Sequence, residues 1–217
     1  MLPVSCVLRR VKTAQAGWAL ALPDNAGMKP RLHSIICSTR PGRVGPAVAQ
    51  WFHHCAQRHA GFDAHLVDLA DFALPVYDEP QHPTLQRYEH EHTKRWAASV
   101  AAADAYVFVL PEYNYSPPPA YVNALDFVYR EWNYKPCGFV SYGGISGGLR
   151  AVQQAKLQAT TLKMMPMVEG VMIPYVARHV EHGRLRASES IDQAAAALLD
   201  ELLKWAQALV PMRAGRS

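Results

Sequence analysis

The sequence lacks the spacings that announce metal or disulfide chemistry. Its four cysteines, Cys6, Cys37, Cys55 and Cys137, are scattered, with no C-x-x-C pair. That excludes a zinc ribbon or a disulfide framework and points to buried, inert thiols in a reducing, cytoplasmic compartment. Histidine is common, yet it is suggestive only at Glu89-His90-Glu91-His92. Alternate residues of a helix point roughly 200° apart, so this run reads as a solvated face and no metal site is expected. No apolar run approaches the roughly 20 residues that span a bilayer, so no membrane partner is expected. Charge of one sign is scarce too. Of the net +4, Arg9, Arg10, Lys12 and Lys29 against Asp24 place +3 in residues 1–29 and leave +1 for the rest. The body therefore has no basic field of the kind nucleic acid requires. No Ser/His/Asp or paired-carboxylate arrangement stands out, and no side chain is assigned a catalytic role.

What is present suffices for one domain. The 217 residues are 50% hydrophobic and 18% charged, an ordinary balance for a chain that buries a core. Residues 1–29 are basic and poor in acids. A disordered extension, an upstream start with Met28 as the true beginning, and a transit-like segment all fit that composition. Low serine content and the absence of a clear amphipathic helix favour the disordered extension. The domain is placed at residues 30–217.

Within it, apolar and amphipathic segments alternate. Strands are expected at 34–37, 62–67, 105–110, 137–141 and 167–173, and helices at 47–58, 84–103, 120–130, 149–163 and 191–208. Residues 105–110 are the most hydrophobic and take the centre. Pro75 and Pro80, set among acids, make 69–83 a loop. Five strands alternating with helices predict an α/β fold, a doubly wound parallel sheet with helices on both faces. Ligands of such sheets sit beyond the carboxyl ends of the strands. The polar loops after Cys37, Leu110 and Ser141 should therefore meet at one crevice.

The first of these loops runs Ser38-Thr39-Arg40-Pro41-Gly42-Arg43-Val44-Gly45-Pro46. A strand passing into a helix through such a turn aims unpaired N–H groups at one point, which favours an anion. Arg40 and Arg43 add forked donors, and Ser38 and Thr39 add hydroxyls. Gly42 and Gly45 are the only glycines here, so neither the G-x-G-x-x-G fingerprint nor the G-x-x-x-x-G-K-[ST] loop is present. A loop that relies on side chains suits the terminal phosphate of a mononucleotide such as FMN. The plainer reading is a tight turn with solvent-facing arginines. Convergence of three polar loops favours the phosphate site.

The second loop, Pro111-Glu112-Tyr113-Asn114-Tyr115-Ser116, offers aromatic faces and an amide to a planar ring. Asn123 and Asp126, one helical turn apart, read as braces for it. The third, Ser141-Tyr142-Gly143-Gly144-Ile145-Ser146-Gly147-Gly148, is dense in glycine, which permits close backbone approach to a flat ligand.

Together these motifs, with Asn123-Ala124-Leu125-Asp126, resemble the NADPH-dependent FMN reductases of flavodoxin-like fold, over roughly residues 31–175. The resemblance implies the strand order 2-1-3-4-5 and FMN as cofactor, with NADPH or NADH as hydride donor. It assigns the FMN phosphate to Ser38, Arg40 and Arg43 with the Val44 and Gly45 amides. It sets Pro111, Glu112, Tyr113 and Asn114 beside the ring and ribityl chain, and Ser141, Tyr142, Gly143 and Gly144 at the ring edge. The implied reaction is ping-pong: NADPH reduces bound FMN, which passes the hydride to a small acceptor such as a quinone, azo compound, free flavin or metal ion. A homodimer or homotetramer is implied as well. Two departures stand out. Cys37 replaces the usual glycine before Ser38, and Pro117-Pro118-Pro119-Ala120-Tyr121-Val122 replaces the usual Pro-Gly-x-Leu-Lys, which places Tyr121 as a possible modifier of the substrate side. The alternatives are a non-catalytic flavodoxin-like electron carrier, which the near-neutral body disfavours, and a flavin-binding redox sensor. A dinucleotide-binding protein with Asp68 on a ribose is disfavoured by the missing glycines.

Overall fold

A computed structural model describes residues 28–214; the N-terminal extension read from the sequence, and Cys6 within it, lies almost wholly outside the described residues. Strand β1 (Arg31–Ile36) leads into α1 (Gly45–His59), followed by β2 (Asp63–Asp68), α2 (Glu91–Ala102) and β3 (Ala105–Pro111). Then come α3 (Pro119–Asp126), β4 (Pro136–Tyr142), α4 (Leu149–Thr161), β5 (Met165–Pro166) and β6 (Val171–Ile173). A small hairpin, β7 (Val180–Glu181) with β8 (Arg184–Leu185), precedes α5 (Glu189–Ala208) and the short α6 (Val210–Ala214).

The main sheet is parallel with order β2-β1-β3-β4-β5, and β6 also pairs with β4. This is the predicted doubly wound order. All seven residues of β3 are buried, as the central position of this apolar strand demands. Helices cover both faces. On one, Val48 and Phe52 of α1 and Leu198 and Leu202 of α5 pack on Ile36, Val107, Val109 and Val140. On the other, Trp96 and Val100 of α2, Tyr121 and Ala124 of α3 and Ala155 of α4 pack on Ile35, Phe108 and Phe139.

Four expectations need correction. The second helix starts at Glu91 rather than residue 84, because the buried Glu79 carboxylate accepts from the N–H groups of Glu89 (2.8 Å) and His90 (3.0 Å) and holds the chain extended there. His90 and His92 then lie outside one regular helical face. Their rings stack at 5.2 Å, and His92 Nε2 reaches Asp78 Oδ1 at 3.0 Å, so the two histidines do not point apart as helical spacing predicts, while Glu89 and Glu91 are exposed as on a solvated face. The fifth strand is split: after Pro166 the chain leaves the ladder, Val168 is 88% exposed, and pairing resumes at Val171. Tyr121 faces the core, not a ligand; it is buried and its hydroxyl donates to the Ala155 carbonyl at 3.2 Å.

Candidate active site

The three loops leave the carboxyl ends of β1, β3 and β4, and hydrogen bonds join them. Loop 1 (residues 37–44) is drawn down onto the sheet end. The buried Ser38 hydroxyl accepts from the Tyr142 hydroxyl at 3.2 Å, across 104 residues of sequence. Gly45 closes over that pair. A Cβ at Gly45 would lie 2.4 Å from Ser38 Oγ and 2.9 Å from Tyr142 Oη, so no other residue fits without displacement. Gly42 stands at φ 68, the left-handed region that favours glycine. Among the described residues, the backbone N–H groups of Ser38, Thr39, Arg40, Gly42, Val44 and Gly45 donate to no protein acceptor, while the Arg43 N–H closes the turn over Pro41 and Gly42. A set of unengaged amides at the N-terminus of a 15-residue helix is an anion cradle.

The two arginines divide. Arg40 is exposed, and its Nε donates to the Tyr113 hydroxyl at 3.2 Å, joining loop 1 to loop 2. Arg43 turns away to form an ion pair with Asp68 at the end of β2. Asp68 also accepts from the Ala70 N–H at 3.0 Å, so it caps the turn after β2. Arg43 thus fixes the loop, and Arg40 is left as its outward cation. Thr39 is exposed on the loop surface. Cys37 is fully buried, and burial pushes its thiol well above the ordinary value, followed by the nearby Asp68 charge. Cys37, Cys55 and Cys137 are all free and buried, as the composition predicts.

Loop 2 (residues 112–118) is a two-residue turn. Tyr113 and Ser116 exchange N–H···O bonds of 2.9 Å, and Asn114 (φ 49) and Tyr115 (φ 68) between them are both left-handed. A cleft of about 700 Å³ runs past it, lined by Arg40, Glu112, Tyr113, Asn114, Ser116, Pro117 and Pro119. The Glu112 carboxylate points to α4, accepting from the N–H of Arg150 (3.1 Å) and Ala151 (3.4 Å) and from Arg150 Nε (2.8 Å). Burial pushes that carboxyl up, but hydrogen bonds from Ser146, Arg150 and Ala151 outweigh it and hold the group below its ordinary value. Asn123 braces a different segment from the one expected: it accepts from the Tyr77 N–H at 2.9 Å and donates to the Pro75 carbonyl at 2.6 Å, tying α3 to residues 75–77 rather than to loop 2.

Loop 3 (residues 143–148) folds on itself. The Ser141 hydroxyl donates to the Gly147 carbonyl at 2.8 Å, and a Cβ at Gly148 would meet Ser141 Cβ at 2.7 Å. The Gly143 and Gly144 carbonyls accept from Val176 (3.2 Å) and Tyr175 (2.9 Å), so the chain after β6 forms the loop's floor. Sequence reading missed that floor. Asp68 is the cap of the strand end that the sequence suggests, but its pairing with Arg43, 25 residues away, and that of Arg150 with Glu112, 38 residues away, were missed. Of the candidate residues, Arg40, Glu112, Tyr113 and Asn114 share the cleft. Ser38, Gly45 and Tyr142 form the cradle beside it, joined to loop 2 by the Glu112 N–H on the Tyr142 carbonyl at 3.1 Å. The Ser141 side chain and the Tyr142 ring face inward rather than into the cleft.

Comparison with known proteins identifies the family. A family model described as NADPH-dependent FMN reductase matches residues 30–178. An NAD(P)H-dependent FMN reductase of Schizosaccharomyces pombe is 40% identical over 183 residues, covering 77% of this chain and 91% of the relative. The NAD(P)H-dependent FMN reductase LOT6 of Saccharomyces cerevisiae is 34% identical over 141 residues, covering 60% and 73%. Among solved structures, the flavoenzyme NAD(P)H:(acceptor) oxidoreductase FerB of Paracoccus denitrificans matches with a TM-score of 0.66 at 21% identity, covering 82% of this chain and 98% of that one. This last likeness bears on the fold.

Proposed function

The chain belongs to the NADPH-dependent FMN reductase family, and from that premise we propose how its loops hold FMN and where its electrons go. It is an NAD(P)H-dependent, FMN-containing oxidoreductase. The observation that carries the reading is the cradle: a buried serine hydroxyl, a glycine that nothing larger replaces, and a run of unengaged amides at a helix start. An anionic phosphate ester is the complement of that set.

Ser38, Thr39, Arg40 and the Val44 and Gly45 amides bind the FMN phosphate. Arg43 acts from behind, through Asp68, to keep the loop in register. Tyr113 and Asn114 border the ring and ribityl chain from loop 2, with Pro111 and Glu112 fixing that loop to α4. Gly143 and Gly144 approach the ring edge. The Gly143 N–H is already donated to the Ile173 carbonyl at 3.3 Å. Donation to the ring therefore falls to the Gly144, Ile145 and Ser146 amides, which have no partner among the described residues. Bound FMN supplies the hydride-accepting and hydride-donating chemistry. NADPH or NADH is the donor, and a quinone, azo compound, free flavin or metal ion is the acceptor. Exposed Leu149, Val168 and Met172 lie around one shallow depression and support a homodimer or homotetramer. Free, buried thiols support a cytoplasmic location. No helix among the described residues is long and apolar enough to cross a membrane.

The test is a visible spectrum followed by anaerobic NADPH. A flavin band that bleaches supports the reading, and a colourless protein that FMN does not reconstitute overturns it. Flavin that NADPH leaves oxidised points instead to a carrier. At the cradle, Arg40→Ala should weaken FMN binding by about 10-fold or more, the value of a charge-assisted hydrogen bond. Fluorescence titration of the apoprotein measures this, and unchanged affinity removes Arg40 from its role.

A further inference from the structure

Tyr115 is an aromatic residue held rigidly in the open. The residue is 62% exposed, and its backbone stands at φ 68, where bulky residues are rarely found. Another two-residue left-handed turn in this protein, between β7 and β8, uses His182 (φ 49) and Gly183 (φ 74). Glycine is the ordinary choice at that second position. Loop 2 has tyrosine there instead, and burial does not compensate for it.

The ring is nevertheless fixed. The Arg150 guanidinium carbon lies 3.7 Å from the ring centroid. Arg150 is itself clamped on Glu112 Oε1, through Nε at 2.8 Å and an Nη at 2.7 Å, and that carboxylate is only 7% exposed. One turn further along α4, Gln154 donates to the Tyr115 carbonyl at 2.9 Å and accepts from the Ser116 hydroxyl at 3.0 Å. The tyrosine is thus borne by α4 rather than by its own loop. One side of the ring is covered by the guanidinium, and the rest meets solvent beside the cleft. A rigid aromatic surface of this kind gives contact area with little loss of side-chain freedom on binding.

The geometry points to Tyr115 as a stacking plate for the electron acceptor, with Arg150 as the residue that positions it. The plate takes a flat conjugated organic acceptor, of quinone type, in preference to a compact metal complex. This rests on the proposed function and narrows its acceptors to one class.

Three variants test it: Tyr115→Asn, which tolerates the left-handed backbone; Tyr115→Phe, which keeps the ring; and Arg150→Lys, which keeps the charge opposite Glu112 but loses the planar stack. Each is loaded with FMN and assayed for KM with a naphthoquinone and with ferricyanide. Calorimetry then measures naphthoquinone binding to the oxidised protein without NADPH. In Tyr115→Asn the quinone-to-ferricyanide KM ratio and the quinone Kd should rise about 3- to 10-fold, the range of an aromatic pair. Tyr115→Phe should restore both, and Arg150→Lys should fall between. Quinone values that stay put in an FMN-loaded Tyr115→Asn protein overturn the plate. So do quinone and ferricyanide values that move together. Wild-type protein whose flavin NADPH does not bleach overturns the parent reading instead, so the two failures are distinct.

Discussion

Gly45 is the residue on which the cradle turns. Its missing side chain lets α1 begin directly above the Ser38 and Tyr142 hydroxyls, where a methyl group would lie 2.4 Å from one oxygen. Gly45→Ala should cost about 1–3 kcal/mol through overpacking and should also open the anion site. A thermal melt measures the first effect and the flavin-to-protein absorbance ratio after purification the second. A variant that keeps both its melting temperature and its flavin would refute the cradle. At this scale the sequence was informative about residue type and silent about direction. Ser38, Arg40 and Gly45 were legible because strand, turn and helix signals sit side by side. The turn of Arg43 toward Asp68 was not, since that pairing depends on β2 lying beside β1.

Among the elements, α4 depends most on a distant partner. It starts after Gly148 at φ 90 with no side-chain cap of its own. Glu112, at the end of β3, accepts its first free amides instead. Glu112→Gln should lower stability by about 1–3 kcal/mol, the range for a hydrogen bond to a charged group. The carboxyl is held below its ordinary 4.5 in the fold, so its contribution is present above pH 4.5 and is lost as pH falls through the lower folded value. Denaturant titrations of both proteins at neutral pH and at successively lower pH, past the folded value, should therefore converge at the acid end; a constant gap would exclude the charge as the cause. Elements with strong local periodicity, such as α1 and β3, were readable to within a residue or two. The start of α2 was not, because a glutamate far upstream decides it. The break in the fifth strand coincides with Glu169 and Gly170, a charge and a chain breaker that interrupt the apolar run where Val168 leaves the sheet and that the strand assignment passed over.

For the whole molecule, pH dependence has a second source on β1. His33 is buried, and burial first, then the neighbouring His65, Arg31 and Lys135 charges, lower its pKa to about 4 from 6.5. The unfolded chain takes up that proton near pH 6.5 and the folded chain only near pH 4, so stability declines as pH drops across this window. The decline is on the order of 3 kcal/mol. His33→Leu should flatten that part of the stability curve in a series of denaturant melts from pH 7 to 4, and an unchanged slope would assign the loss to other groups. The architecture itself was legible because alternating strand and helix signals leave few chain paths, and a right-handed crossover rule selects among them.

The hydroxyl bridge between Ser38 and Tyr142 has a thermodynamic corollary. It ties the anion loop to a strand end that is itself locked into the ladder, so the loop's shape is inherited from the sheet and exists before any ligand arrives. The conformational freedom surrendered by residues 38–45 is charged to folding rather than to complex formation. On the proposed function, phosphate binding to this loop would then meet little entropic opposition, because the amides are placed before the ligand arrives.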